Sequence, residues 1–281
     1  MTANEDHARL LKELGIERLR PGKNGMNPQA VDFANTDESK ANPRPNIPQL
    51  MVFNNGKPVK TRSDWGRRRK EIIELLDREI YGRTPKNLPK VNWEVVNQEN
   101  TKVGEIPVVT KRLLGHVDNR AYPLIKVDIR MTLTTPLNAK GKVPVMLEFG
   151  FPNFGPPRTN ARPPSGAPQG PNWQEQLLTK GWGVAIIDPG SVQADNGGGL
   201  TQGIIGLVNK GQPRKPDQWG ALKAWAWGAS KALDYFQKDS AVDAKRVGIE
   251  GLSRYGKATA VTMAYEPRFA IGFVGSSGQG G

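Results

Sequence analysis

The sequence predicts an α/β protein whose core is a parallel sheet with helices on both faces. Three observations predict it. Short, nearly all-apolar runs recur at VPVMLEF (143–149), WGVAIID (182–188), RVGIEG (246–251) and FAIGFVG (269–275), as strands buried on both faces require. Helical periodicity fills the intervals at 173–180, 219–236 and 254–265. Strand and helix therefore alternate, the order that generates parallel pairing.

The elements follow in order along the chain. Residues 20–62 are rich in Pro, Asn, Lys and Asp and read as irregular surface chain. Residues 1–62 are therefore expected to form an N-terminal extension, and residues 63–281 a single domain. A helix is expected from Asp64, its cap, to Tyr81, because Ile72, Ile73, Leu75, Leu76 and Ile80 fall on one stripe before Gly82 and Pro85. VNWEVV (91–96) and LIKVDIRMTLT (124–134) alternate apolar and polar residues, predicting antiparallel strands with one wet face. In the helix at 219–236, Leu222, Trp225, Ala229, Leu233 and Phe236 share one face. The long segments 150–172 and 188–216 leave the ends of buried strands, where sheets of this kind carry their sites.

Composition narrows the function. The 281 residues include no cysteine, which excludes disulfides, thiolate metal sites and cysteine nucleophiles. Few histidines and no clustered carboxylates argue against a metal site, and no cofactor is expected. No apolar run approaches the ~18 residues of a membrane span. The charged start MTANEDHARLLKELGIERL lacks the apolar stretch of a signal peptide. Net charge is +13, which attracts anions, but the basic residues are scattered and no nucleic-acid module appears. RRRK at 67–70 precedes a helical stripe and reads as a solvated helix face. DNGGG (195–199) lacks the Gly-Lys-Ser/Thr of a phosphate loop and reads as surface loop. A monomer without nucleic-acid or membrane partner is expected.

The stretch GIEGLSRYGK (248–257) carries the chemistry. Ser253 lies between an expected buried strand and an expected helix, where an α/β-hydrolase holds its nucleophile on a sharp turn. Gly251 supplies the small residue before it and Gly256 the one after. The usual second glycine would come one residue earlier, where Tyr255 stands. Two plainer readings compete: Ser253 as an ordinary N-cap, and the glycines as aids to strand–helix packing. Arg254 and Lys257 add two cations in the first turn of a helix, where the dipole disfavours them unless they serve an anion or a developing oxyanion. The N–H of Arg254 is placed to donate to such an oxyanion.

GLSRYGK resembles the G-C-S-R-x-G-K motif of the glucuronoyl esterases, carbohydrate esterase family 15. ANTDESK, NGKPVKTRSDWGRRRKEIIELLDREIYGRTP and FVGSSGQGG are similar to other stretches of its bacterial members, so the resemblance covers most of residues 33–281. It implies an α/β-hydrolase three-layer sandwich with N-terminal antiparallel strands. It also implies a secreted or periplasmic serine carboxylesterase that cleaves 4-O-methyl-glucuronoyl esters between xylan and lignin, without metal or cofactor. By the resemblance Ser253 is the nucleophile, Arg254 stabilises the oxyanion and Lys257 contacts sugar hydroxyls.

Three departures bear on that reading. Leu252 replaces a cysteine at a position expected to point into packing. Ser276 stands where many members have the catalytic glutamate. The triad needs a histidine after the serine, but the chain's two, His7 and His116, precede it. His7 is expected in a mobile segment and His116 between two antiparallel strands. The chain is therefore expected to be a C-terminally truncated, incomplete hydrolase domain with the nucleophile half of the site and little activity alone. The alternatives are an esterase acting on acetylated sugars, or a non-catalytic carbohydrate-binding protein with a degenerate site. Trp173, Trp182, Trp219, Trp225 and Trp227 would offer the latter its stacking surfaces, although Trp225, at helical spacing, is expected in the core.

Overall fold

The computed structural model describes residues 1–35, 37–40, 48–152, 170–196 and 200–278. The chain opens with helix α1 (Ala3–Glu13), started by a capping box between Thr2 and Glu5. His7 thus lies on an ordered helix, which Arg9 ties to the Arg214 carbonyl at 2.9 Å. Helix α2 (Arg62–Leu76) also begins with a capping box. Thr61 is its cap, and Asp64, expected there, is the reciprocal third residue. The helix runs on as a wider π-turn through Asp77–Tyr81 and stops at Gly82, whose φ of 76° a side chain would resist.

Among the described residues seven strands form one sheet: β1 (Val91–Val103), β2 (Ile106–Val117), β3 (Asp128–Pro136), β4 (Val143–Phe149), β5 (Gly183–Ile187), β6 (Val242–Leu252) and β7 (Ile271–Gly275). Their order is β1-β2-β3-β5-β4-β6-β7. The first three pair antiparallel, and β3 pairs antiparallel with β5. The others are parallel, joined by crossovers that carry α3 (Trp173–Thr179), then α4 (Pro189–Val192), α5 (Gly203–Val208) and α6 (Ala221–Phe236), then α7 (Arg254–Tyr265). This is the α/β-hydrolase arrangement that the sequence predicts.

Two of the strand expectations need correction. His116 lies within β2, directly opposite Asp128 of β3, and not between strands. The run 269–275 is not buried on both faces: Ile271 and Phe273 are 54% and 64% exposed on β7, the sheet's edge. Elsewhere the core is dense. Helix α6 buries Ala224, Trp225, Ala229, Leu233 and Phe236 in one cluster with Leu147 and Ile249 of the central strands. Trp219, Trp225 and Trp227 are therefore core residues, not stacking surfaces.

Candidate active site

Ser253 ends β6 and precedes α7 with φ 59° and ψ −122°. For a residue with a side chain this conformation costs about 1–3 kcal/mol, and it persists only where the surroundings enforce it. An N-cap serine is extended and its oxygen accepts from the helix. Ser253 is neither: its backbone is left-handed and its hydroxyl makes no capping hydrogen bond. The side chain is exposed. The geometry is therefore that of a strained strand-to-helix turn and not of a plain cap.

Close backbone approaches enforce the turn. A Cβ on Gly251 would stand 2.4 Å from the Tyr255 carbonyl oxygen, so no larger residue fits without a shift. The N–H of Ser253 donates to the Gly275 carbonyl at 2.8 Å, tying the turn to the end of β7. A Cβ on Gly256 would stand 2.4 Å from that same carbonyl oxygen. This explains the spacing that departs from the usual pattern: residue 256, not 255, passes over the last carbonyl of β7. Tyr255 is free to carry a ring, which packs among Trp225, Phe151 and Phe149 at centroid distances of 5.5, 6.0 and 6.5 Å.

Potential donors flank the serine along the chain. The N–H of Arg254 belongs to the first helical residue, whose amide has no acceptor within the helix. Its guanidinium, 62% exposed, contacts the Asp195 carboxylate. Nothing local in the sequence marks Asp195, because 59 residues separate the partners. Lys257 follows one turn on; its N–H bonds the Ser253 carbonyl at 3.1 Å and its Nζ lies beside Gly278. The three predicted residues Ser253, Arg254 and Lys257 are thus brought together at the C-terminal end of the parallel strands.

The histidines are not brought there. His116 lies on β2, four strand positions from β6, or about 19 Å at the usual spacing. Both its nitrogens are engaged, Nδ1 with Asp128 at 2.7 Å and Nε2 with Glu94 at 2.9 Å. His7 is exposed on α1. Ser276, in the place of the expected acid, forms a left-handed bend (φ 45°) after β7. Residues 153–169, 197–199 and 279–281, which hold most of the loop after β4 and the ends of DNGGG and SSGQGG, lie outside the described residues.

Leu252 corrects another expectation: it is 65% exposed and does not point into packing. With Phe151, Trp173, Tyr255 and Glu148 it lines an open cavity of about 380 Å³ beside the serine turn. Trp173 is thus the tryptophan of the five placed to meet a ligand there. Beneath it Glu148 and Glu250 are register partners on β4 and β6. Burial raises the pKa of both, and the Glu148 charge helps push Glu250 up to about 7.

Known proteins resemble this chain over most or all of its length. A family model for "Glucuronyl esterase, fungi" matches residues 214–281. A solved CE15 glucuronoyl esterase from Teredinibacter turnerae is 38% identical at a TM-score of 0.86, covering 100% of this chain and 68% of its own. A glucuronoyl esterase from Solibacter usitatus is 31% identical at a TM-score of 0.70, covering 85% of this chain and 65% of its own. A curated carbohydrate esterase of an unknown prokaryotic organism is 28% identical over 273 residues, 88% of this chain. A 4-O-methyl-glucuronoyl methylesterase of Podospora anserina is 28% identical over 238 residues, 82% of this chain. The chain spans 62% and 40% of the lengths of these two curated relatives.

Proposed function

The chain belongs to carbohydrate esterase family 15, the glucuronoyl esterases, and we propose on that premise that it carries the nucleophile half of a serine carboxylesterase for glucuronoyl esters. The observation that carries the reading is Ser253 itself, an exposed, uncapped hydroxyl on a left-handed turn at the head of a helix. Such a turn presents Oγ to an ester carbonyl and places the next N–H where the oxyanion develops. Attack by Oγ on the carbonyl carbon would form the tetrahedral intermediate. Its negative oxygen would meet the Arg254 N–H and guanidinium. Collapse would expel the alcohol, which leaves with the proton that Oγ gives up, and would leave a glucuronoyl ester on Ser253, which water then cleaves. Lys257, one turn away, would hold sugar hydroxyls. The substrate class comes from the curated relatives, named 4-O-methyl-glucuronoyl methylesterases. The finer reading, a secreted enzyme that parts xylan from lignin, rests on the same kinship and on a +13 chain suited to an anionic polymer.

One observation favours a second reading, a sugar-binding protein with a degenerate site: neither histidine is hydrogen-bonded to Ser253 among the described residues. The two readings part in one experiment. A fluorophosphonate added to the chain, followed by peptide mass analysis, is expected to modify Ser253 and to leave Ser253→Ala unmodified. Binding of glucuronoxylan with no label on Ser253 would instead favour the sugar-binding protein. Comparing a methyl glucuronate ester with the matching glucose acetate separates the uronate specificity from action on acetylated sugars.

A further inference from the structure

The Arg254 guanidinium is held from outside its own helix. Asp195, its carboxylate partner, lies in the segment after α4, and that segment is anchored in the core. The Asp188 side chain accepts from the Gly190 N–H at 2.8 Å and from Arg130 Nε at 3.0 Å. Gln193 has no solvent exposure. Its Oε1 accepts from the Ile205 N–H at 3.0 Å and its carbonyl from Trp225 Nε1 at 2.8 Å. Two residues later the chain surfaces at Asp195, which meets Arg254 beside the serine turn.

The design is costly unless it positions something. Arg254 and Asp195 are 62% and 41% exposed, and a pair so open to water adds little to stability. An arginine in the first turn of a helix is disfavoured by the dipole, and an acidic partner offsets that cost. A free arginine also has many rotamers, most of which point away from any oxyanion at Ser253. Fixing one of them in advance removes that entropy from the reaction itself. We propose that Asp195 is the positioning residue for Arg254, holding its guanidinium beside Ser253 before the ester arrives. The inference rests on the reading of Ser253 as nucleophile and of Arg254 as oxyanion donor. Asp195 touches neither substrate nor the reacting atoms, and it partly offsets the charge it orients. The expected gain is therefore one of geometry, not of field strength.

The test measures two rates on the chain and on its variants Asp195→Asn, Asp195→Glu, Arg254→Ala and Arg254→Ala with Asp195→Asn. The first is the rate of Ser253 modification by a fluorophosphonate at mildly alkaline pH. The expected result is a fall of about tenfold in Asp195→Asn, substantial recovery in Asp195→Glu, and a double variant no slower than Arg254→Ala alone. Melting temperatures should not change with Asp195→Asn, which separates positioning from a structural role. The second is the rate of Arg254 modification by phenylglyoxal, expected to rise in Asp195→Asn as the guanidinium is released. Wild-type rates in Asp195→Asn, or losses that multiply in the double variant, would overturn the proposal. If Ser253 takes no label in the wild-type chain, the esterase reading falls and the catalytic part of the proposal with it. The phenylglyoxal rates then still decide whether Asp195 holds Arg254.

Discussion

Glu250, three residues before Ser253, faces Glu148 across the β4–β6 ladder, and its Oε1 is buried without a hydrogen-bond partner among the described residues. Burial first, then the Glu148 charge, raises the Glu250 pKa from 4.5 to about 7. A carboxyl raised in the folded state binds its proton more tightly there than in the unfolded chain. The fold is therefore favoured below pH ~4.5, and that advantage drains away as pH climbs through about 7. The expected loss is on the order of 2 kcal/mol once solvent access is allowed for. Thermal melts across this window should show it, and Glu250→Gln should flatten the profile. An unchanged profile would mean that burial does not raise the Glu250 pKa in the folded chain.

Ser253→Gly should stabilise the fold. The left-handed turn strains any residue with a Cβ, and glycine relieves about 1 kcal/mol of it while abolishing the hydroxyl. Denaturant titration is expected to move to higher midpoint as Ser253-directed labelling vanishes. A less stable glycine variant would show that the turn is not strained.

Gly256→Ala should do the reverse. Its new methyl would press on the Gly275 carbonyl that also receives the Ser253 N–H. Overpacking of this sort costs about 1–3 kcal/mol. Labelling of Ser253 should slow as well, since α7 and β7 must part to make room. Unchanged labelling would leave residue 256 out of the turn's geometry.

His116→Gln should leave Ser253 labelling untouched and alter stability only. The hydrogen bond that His116 donates to Glu94, then the one it donates to Asp128, raises its pKa, while Lys126 pairs with Asp128 at 2.9 Å. Protonated His116 thus clips β1 to β3 across β2. Its contribution is present in full below pH ~6.5 and fades as pH rises through the raised value. Melts of both proteins should differ at pH 5 to 6 and converge toward pH 9. A changed labelling rate would return His116 to the site.

The parallel half of the sheet is legible because each strand is covered on both sides for most of its length, leaving unbroken apolar runs such as 143–149. Strand β2 is not. Val108 faces Leu178 and Val184 in one cluster, whereas Leu113 and Val117 face the main core, so the apolar period slips midway along IPVVTKRLLGHV. The capping pair Thr2 and Glu5 was available as a signal for α1, in a segment that polarity alone marks as loose. At the candidate site, the serine, arginine and lysine lie in one short stretch and could be read together. Asp195 and the Glu148–Glu250 pair exist only once the sheet order brings distant segments together. Leu252 misled because alternation along β6 says which face a residue takes, not whether anything covers that face.

The rim at β7 governs how the chain behaves in a crowded tube. Among the described residues β7 pairs with β6 alone, and with Ile271 and Phe273 bare it offers a template on which another copy can lay its own backbone. Concentrated stocks should therefore drift toward larger particles in light scattering. A charged substitution such as Phe273→Lys should slow that drift and leave the chemistry at Ser253 as it was.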